Sequence, residues 1–172
     1  QTAEIAVQAA LTGHLVFTTL HTNDAPSVIA RLLDLGLEPF LITATVEGVV
    51  AQRLVRCICT RCKETYTPDE SSLLELGLKP EDVTGQTFSR GVGCDYCRGT
   101  GYSGRMAIFE IMLYDDRIRN LVMDRKSTNM LREAARKRGM RTLRESGLLA
   151  IYDGLTTIEE VVAQTLSEDM EQ

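Results

Sequence analysis

Apolar residues recur at helical spacing from the first positions. Ile5, Ala6, Ala9 and Ala10 share one side of a predicted helix, and Gly13 is placed to end it. The next run, His14 to Leu20 (HLVFTTL), is short, β-rich and apolar at successive positions. That pattern predicts a strand buried on both faces, as in a parallel sheet flanked by helices. Polar residues from His21 onward break it. Asn23 or Asp24 can cap a helix whose inner stripe is Val28, Ile29, Leu32 and Leu33, with a stop near Gly36. Pro39 suits a first helical turn, so a third helix is predicted from Pro39 to about Val55. Helix, strand and helix in this order read as part of an α/β layer fold.

The pattern changes between about residues 57 and 104, where all five cysteines and most of the glycines lie. Arg105 to Leu113 (RMAIFEIML) then alternates as a strand does. The remainder is helical: Ser127 or Thr128 precedes a helix that ends at Gly139. Thr157 to Glu160 forms a capping box before a last apolar stretch. The tail Ser167 to Gln172 is polar and is predicted to fray. There is no internal repeat and no low-complexity tract.

Composition narrows the class. The 172 residues are 44% hydrophobic and 25% charged, ordinary for a globular core with a smaller module. The net charge of -5 and a pI near 5.1 disfavour a broad nucleic-acid face. No apolar run reaches the roughly 18 residues of a membrane span, and nothing at the start resembles a signal peptide. The chain opens on Gln1, already inside a helical pattern, and is expected to be part of a longer protein.

Four of the five cysteines form two C-x-x-C pairs, Cys59/Cys62 and Cys94/Cys97, with 31 residues between the pairs. Two residues between cysteines let a tight turn aim both sulfurs at one point, and two such knuckles supply the four ligands of a structural zinc site. Four thiolates leave no position for a reactive water, so the expected site is structural rather than catalytic. Without a secretion signal, metal ligation is favoured over disulfides. A redox reading of Cys59 and Cys62 is the weaker alternative, because it requires the first cysteine at a helix N-terminus after a strand. Cys57, two residues before Cys59, reads as a small buried side chain, with a register exchange for Cys59 as the alternative.

Gly99, Gly101 and Gly104 match the spacing G-x-G-x-x-G. A dinucleotide fingerprint must follow a strand and open a helix, whereas this copy follows a knuckle and leads into a strand pattern. These glycines are expected instead to supply positive φ and backbone donors around the thiolates. The local string resembles the zinc repeats of J-type co-chaperones, but those occur in several copies and the first pair here lacks the glycines. Of the two histidines, His14 opens the predicted strand and His21 closes it. An odd separation puts them on opposite faces, so they are not expected to share a metal. His21 lies at the carboxyl end of the strand, where open α/β sheets bind ligands. No Ser–His–Asp or Cys–His arrangement is legible.

The stretch Leu11 to Ala25 (LTGHLVFTTLHTNDA) resembles the histidine box of the secretion ATPases that drive type II secretion and type IV pili. QTAEIAVQAA before it is similar to the segment on the C-terminal side of their Walker B motif. VVAQRLVR, CTRCK, GCDYCRGTGYSGRMAIFEIM, LREAA and GLTTIEEV also match in family order, so the resemblance covers nearly the whole chain. It implies α/β architecture: the C-terminal portion of a RecA-like P-loop NTPase sheet, an inserted tetracysteine zinc module and a C-terminal helical subdomain. The implied segments are 1–56 and 105–125 for the core, 57–104 for the zinc module and 126–172 for the helices. The resemblance also implies a homohexameric, cytoplasmic ATPase that moves an inner-membrane platform protein and works with secretion or pilus-assembly proteins. The four-cysteine module is typical of the secretion and assembly branch rather than the retraction branch.

Carried over by position, His21 corresponds to the histidine near the γ-phosphate, Thr22 neighbours that site, and His14 is the other box histidine. Cys59, Cys62, Cys94 and Cys97 correspond to the zinc ligands. Arg53 lies in the family's Q-R-L segment without an assigned role, and Cys57 departs from the pattern. No Gly-Lys-Ser or Gly-Lys-Thr occurs in this chain, so a P-loop is absent from it. Walker A, the Asp box and Walker B would lie upstream, and ATP and Mg²⁺ would be bound only with them. The chain alone is therefore expected to be inactive. The alternative is a standalone zinc-stabilised interaction module without ATPase ancestry. Nucleic-acid binding by a zinc ribbon is weaker still, because the chain is acidic.

Overall fold

The computed structural model describes residues 2–165, and the predicted fraying of 167–172 lies outside the described residues. The element order is α1 (Thr2–Leu11), α2 (Ser27–Asp34), α3 (Pro39–Thr45), β1 (Gly48–Ile58), β2 (Lys63–Tyr66), α4 (Glu70–Glu75), a 3₁₀ turn (Pro80–Val83), β3 (Phe88–Gly91), β4 (Tyr102–Leu113), α5 (Asp116–Met123), α6 (Thr128–Lys137), α7 (Leu143–Tyr152) and α8 (Ile158–Thr165). β1 pairs with β4, and β2 pairs with β3.

The described residues form two compact units, 2–51 with 110–142, and 52–109 with 143–165. Of the segments drawn from the sequence, 126–172 is therefore divided: α6 falls in the first unit, α7 and α8 in the second.

The first unit has one apolar core. Val28, Ile29 and Leu32 of α2, Ile42 of α3, Met112 of β4, Ile118 and Val122 of α5, and Leu131, Ala134 and Ala135 of α6 are all buried in it. α2, α5 and α6 each show an apolar stripe at helical spacing, which is why they form on this core. Asp115 and Ser127 cap α5 and α6, accepting from the N–H groups of Ile118 and Met130. α1 turns Val7 and Ala3 inward while Ile5 is exposed, so its packed stripe is not the one the sequence suggested.

Two expectations fail here. The third helix stops at Thr45 instead of about Val55, and β1 begins at Gly48. Thr43 and Thr45 turn their hydroxyls back onto the carbonyls of Phe40 and Leu41, and the β-branched residues and Gly48 that follow disfavour a helix. From Val49 the burial alternates, with period two rather than helical period. Residues 14–22 form no helix or strand, and Leu15 and Phe17 are 82% and 89% exposed. A strand needs a neighbouring strand to bond to, and the pattern HLVFTTL encodes the propensity without supplying the partner.

The second unit has its own core. Leu73 and Leu76 of the α4 region, Phe88 of β3, Ile151 of α7, and Ile158, Val161 and Val162 of α8 are buried together. Phe88 meets Tyr152 edge to face, with ring centroids 5.8 Å apart. The β2–β3 hairpin is antiparallel, with Lys63 opposite Gly91 and Tyr66 opposite Phe88. The capping box at α8 forms only in part. The Thr157 hydroxyl accepts from the Glu160 N–H at 3.4 Å, but the Glu160 carboxylate turns to Arg56 instead of back along its helix. It accepts from the Arg56 backbone N–H at 2.9 Å, Nε at 2.7 Å and Nη2 at 2.5 Å. The Arg56 guanidinium also stacks on Tyr102, 4.0 Å from its ring centre.

Gly147 of α7 has no room for a side chain: an added Cβ would lie 2.5 Å and 2.9 Å from the two methyls of Val161. Gly147→Ala is expected to destabilise the second unit by about 1–3 kcal/mol, read as a lower urea midpoint; an unchanged midpoint contradicts this packing. Glu160 gives a pH prediction. Burial alone would raise its carboxyl, but the hydrogen bonds and charge of Arg56 outweigh burial and hold it below its ordinary value. Its folded pKa is thus depressed, so its stabilisation is present above the unfolded value of about 4.3 and lost as pH falls through the folded value. The stability gap between the wild type and Glu160→Gln is expected to be widest near neutral pH and to shrink in acid. A gap that stays constant across that range in urea titrations refutes the assignment.

Candidate metal centre and the histidine segment

Each knuckle is shaped by its own backbone. In the first, the chain leaves β1 and turns so that the Cys62 N–H donates to the Cys59 carbonyl at 3.3 Å. In the second, Gly99 N–H donates to the Cys94 carbonyl at 2.9 Å, and the Thr100 hydroxyl closes on the Cys97 carbonyl at 2.7 Å. Arg98 sits at φ 54, the left-handed conformation that this turn requires between Cys97 and Gly99. The two knuckles are joined by the Cys59 N–H to Gly101 carbonyl bond at 2.9 Å and the Val92 N–H to Cys62 carbonyl bond at 3.0 Å. Arg61 of the first knuckle and Tyr96 of the second also meet, the guanidinium 4.0 Å from the centre of the ring.

Two glycines let these backbones cross. A Cβ on Gly91 would stand 2.0 Å from the Gly101 carbonyl oxygen, and one on Gly101 would stand 2.4 Å from that of Gly91. At φ 77, Gly101 also directs its own N–H at Cys97 Sγ, 3.3 Å away. Gly99, Gly101 and Gly104 are all at positive φ, as expected, and of the three it is Gly101 whose N–H meets a sulfur.

Cys59, Cys62, Cys94 and Cys97 place their sulfurs within 4.8 Å of one another. Cys59 and Cys94 are separated by 3.9 Å, Cys62 and Cys97 by 3.8 Å, and Cys94 and Cys97 by 3.7 Å. A tetrahedron of sulfurs around an ion at about 2.3 Å has edges of about 3.8 Å, so the spacing fits a four-thiolate centre. Cys57 and both histidines stand outside this group. Among the described residues it is the cluster able to hold a metal ion. All five thiols are free of disulfides.

The electrostatics of the four thiols favour a cation. Burial raises the Cys97 thiol, but the N–H groups of Cys94 and Gly101 and the neighbouring thiols outweigh it and bring it down to about 6. Burial pushes Cys62 up to about 12, although the Gly93 N–H opposes it, and the other three thiols add to the rise. Four sulfurs this close do not all ionise on their own, and a divalent cation removes that penalty.

The histidine segment lies in the first unit. His14 and His21 are both exposed, and His14 Nδ1 is 3.0 Å from the Thr12 hydroxyl. Leu20 packs on the core just before His21. The Thr22 hydroxyl donates to the Asp24 carbonyl at 3.1 Å, and Asp24 Oδ1 accepts from the Ser27 N–H at 2.8 Å ahead of α2. Asp24 Oδ2 meets Arg132 Nη2 of α6 at 2.5 Å, and the Ala25 N–H donates to Glu110 Oε1 of β4 at 2.7 Å. Sequence reasoning singled out neither Arg132 nor Glu110. The one available signal was Glu110 itself, an acidic residue at an inward position of the otherwise apolar run 106–113.

Residues 1–163 match the family described as type II/IV secretion system protein. The chain is 50% identical over 166 residues to the type IV pilus assembly ATPase PilB of Thermus thermophilus, covering 96% of this chain and 19% of that protein. It is 48% identical to PilB of Myxococcus xanthus, covering 96% of this chain and 29% of that protein. It is 45% identical to the type II secretion system protein E of Pseudomonas aeruginosa, covering 98% and 33%. The chain therefore spans a third or less of these relatives. A crystal structure of the pilus retraction motor PilT with bound ADP aligns with a TM-score of 0.60 over 95% of this chain and 36% of that one. At 24% identity that likeness is one of mixed α/β fold.

Metal analysis checks the centre. About one ion per chain is expected, and none after Cys94→Ser with Cys97→Ser. Metal retained by that double variant refutes the ligand set.

Proposed function

The chain belongs to the type II/IV secretion system protein family, and on that premise we propose that it is the C-terminal part of a hexameric ATPase that powers type II secretion or type IV pilus assembly. The observation that carries this reading is the family match across residues 1–163, with 45–50% identity to assembly and secretion ATPases. The alternative of an interaction module without ATPase ancestry gives way to that match. In the whole protein, residues 14–20 become a strand of a RecA-like sheet completed by upstream residues. His21 then faces the γ-phosphate of ATP, with Thr22 beside it and His14 at the other end of the strand. The exposure of Leu15, Phe17 and His21 favours this reading, since it leaves them open to a partner sheet and a nucleotide.

The metal is zinc, and its role is structural. Four thiolates complete its shell and leave no site for a water, so it supplies folding energy and no chemistry. The motor works on the cytoplasmic side, reaching the membrane through an inner-membrane platform protein. Among the described residues no helix is long and apolar enough to cross a membrane. This chain lacks G-x-x-x-x-G-K-[ST], and phosphoryl transfer depends on that loop for positioning and charge.

The test is ATP turnover. The 172-residue chain is expected to show none above a mock preparation, and the complete gene product to hydrolyse ATP. His21→Ala in the complete product should lower kcat by about a hundredfold, as loss of a donor to a developing charge does. Turnover by the chain alone, or full kcat in the His21→Ala protein, overturns the corresponding part of this reading.

A further inference from the structure

The span that carries His21 is held at both ends. On one side Leu20 packs on the core of the first unit. On the other, three residues later, Asp24 is tied to α6 by Arg132 and Ala25 to β4 by Glu110. Both carboxylates are withdrawn from water: Asp24 is 4% exposed and Glu110 1%. Buried charge is costly unless it is paired and bonded, and an apolar contact would serve packing as well or better. A charged, directional contact instead specifies where a backbone stands. Asp24 uses its two oxygens for different tasks, one on the Ser27 N–H ahead of α2 and one on Arg132. Ala25 is fully buried between these anchors, while His21 remains exposed.

We propose that Arg132 is a positioning residue for His21, acting through Asp24, with Glu110 as the second anchor. Only Thr22 and Asn23 separate His21 from the clamped residue, and the Thr22 hydroxyl bonds to the Asp24 carbonyl. The ion pair thereby sets the direction in which the imidazole is presented. It also makes α6 the element on which that presentation depends. The proposal rests on the nucleotide role of His21 given above.

The chain has two histidines, so its imidazole signals are readily assigned. In the 172-residue chain labelled at histidine, Arg132→Met is expected to shift or broaden the His21 cross-peaks and leave those of His14 unchanged. Amide exchange from His21 to Ala25 should rise about tenfold or more, with Ile42 of α3 still protected. Arg132→Lys, which keeps the charge, should restore much of the wild-type signal. Asp24→Asn, which keeps an acceptor for Ser27 but removes the charge facing Arg132, should reproduce the loosening without loss of fold. Unchanged His21 signals and exchange in both Arg132→Met and Asp24→Asn overturn the proposal. So does a disturbance spread equally over His14, His21 and α3, which would mean a purely structural residue. Full turnover by His21→Ala in the complete gene product would overturn the nucleotide role, and it is read independently of the Arg132 measurements.

Discussion

Four sulfurs that must converge on one point impose the strongest constraint in the second unit. The two knuckles lie 31 residues apart in sequence, and closing that loop brings β2 against β3 and folds α4 over the result. A short insertion cannot bury enough apolar area alone, and a metal ion held by these four cysteines would supply what the core lacks. Close approach of the sulfurs in turn needs close approach of backbones. Gly91 and Gly101 permit it because neither carries an atom where the other's carbonyl stands. The remaining apolar face of the hairpin is covered by α7 and α8, and the Arg56–Glu160 contact ties the end of β1 to the start of α8. The four cysteines, the hairpin, α7 and α8 therefore lie in one compact unit.

The first unit follows a different logic. Its helices form on a single apolar core, and its polar anchors are few and placed where a loop must be held still. Its histidine span is exposed, whereas the backbone on either side is packed or ion-paired. Such a division suits a chemical group that must be accessible while its direction is kept, and packing alone holds a surface loop poorly.

Much of this was legible along the chain. The C-x-x-C pairs have a spacing that chemistry constrains tightly, so the four cysteines that cluster were identifiable from the spacing alone. The stripe of α2 and the start of α6 after Ser127 were legible for a similar reason, since period and capping are local properties. The end of α3 was misread because Val46, Val49 and Val50 suit either an apolar helix or a strand until a partner strand is present. At α8, Thr157 and Glu160 have capping-box spacing, yet a guanidinium 104 residues away in sequence binds the glutamate more strongly than the helix's own N–H.

By itself, the sequence determined the residue types and their short-range geometry: four cysteines in two turns, glycines where φ must be positive, and amphipathic helices, with Ser127 as the cap of α6. It also determined the family, because motifs in fixed order are a property of the chain. Tertiary structure alone decided which distant groups meet. Asp24 and Arg132 are 108 residues apart, and Ala25 and Glu110 are 85 apart. No local pattern specifies such pairs, since each group bonds to water until folding removes that water and leaves the other group as its partner.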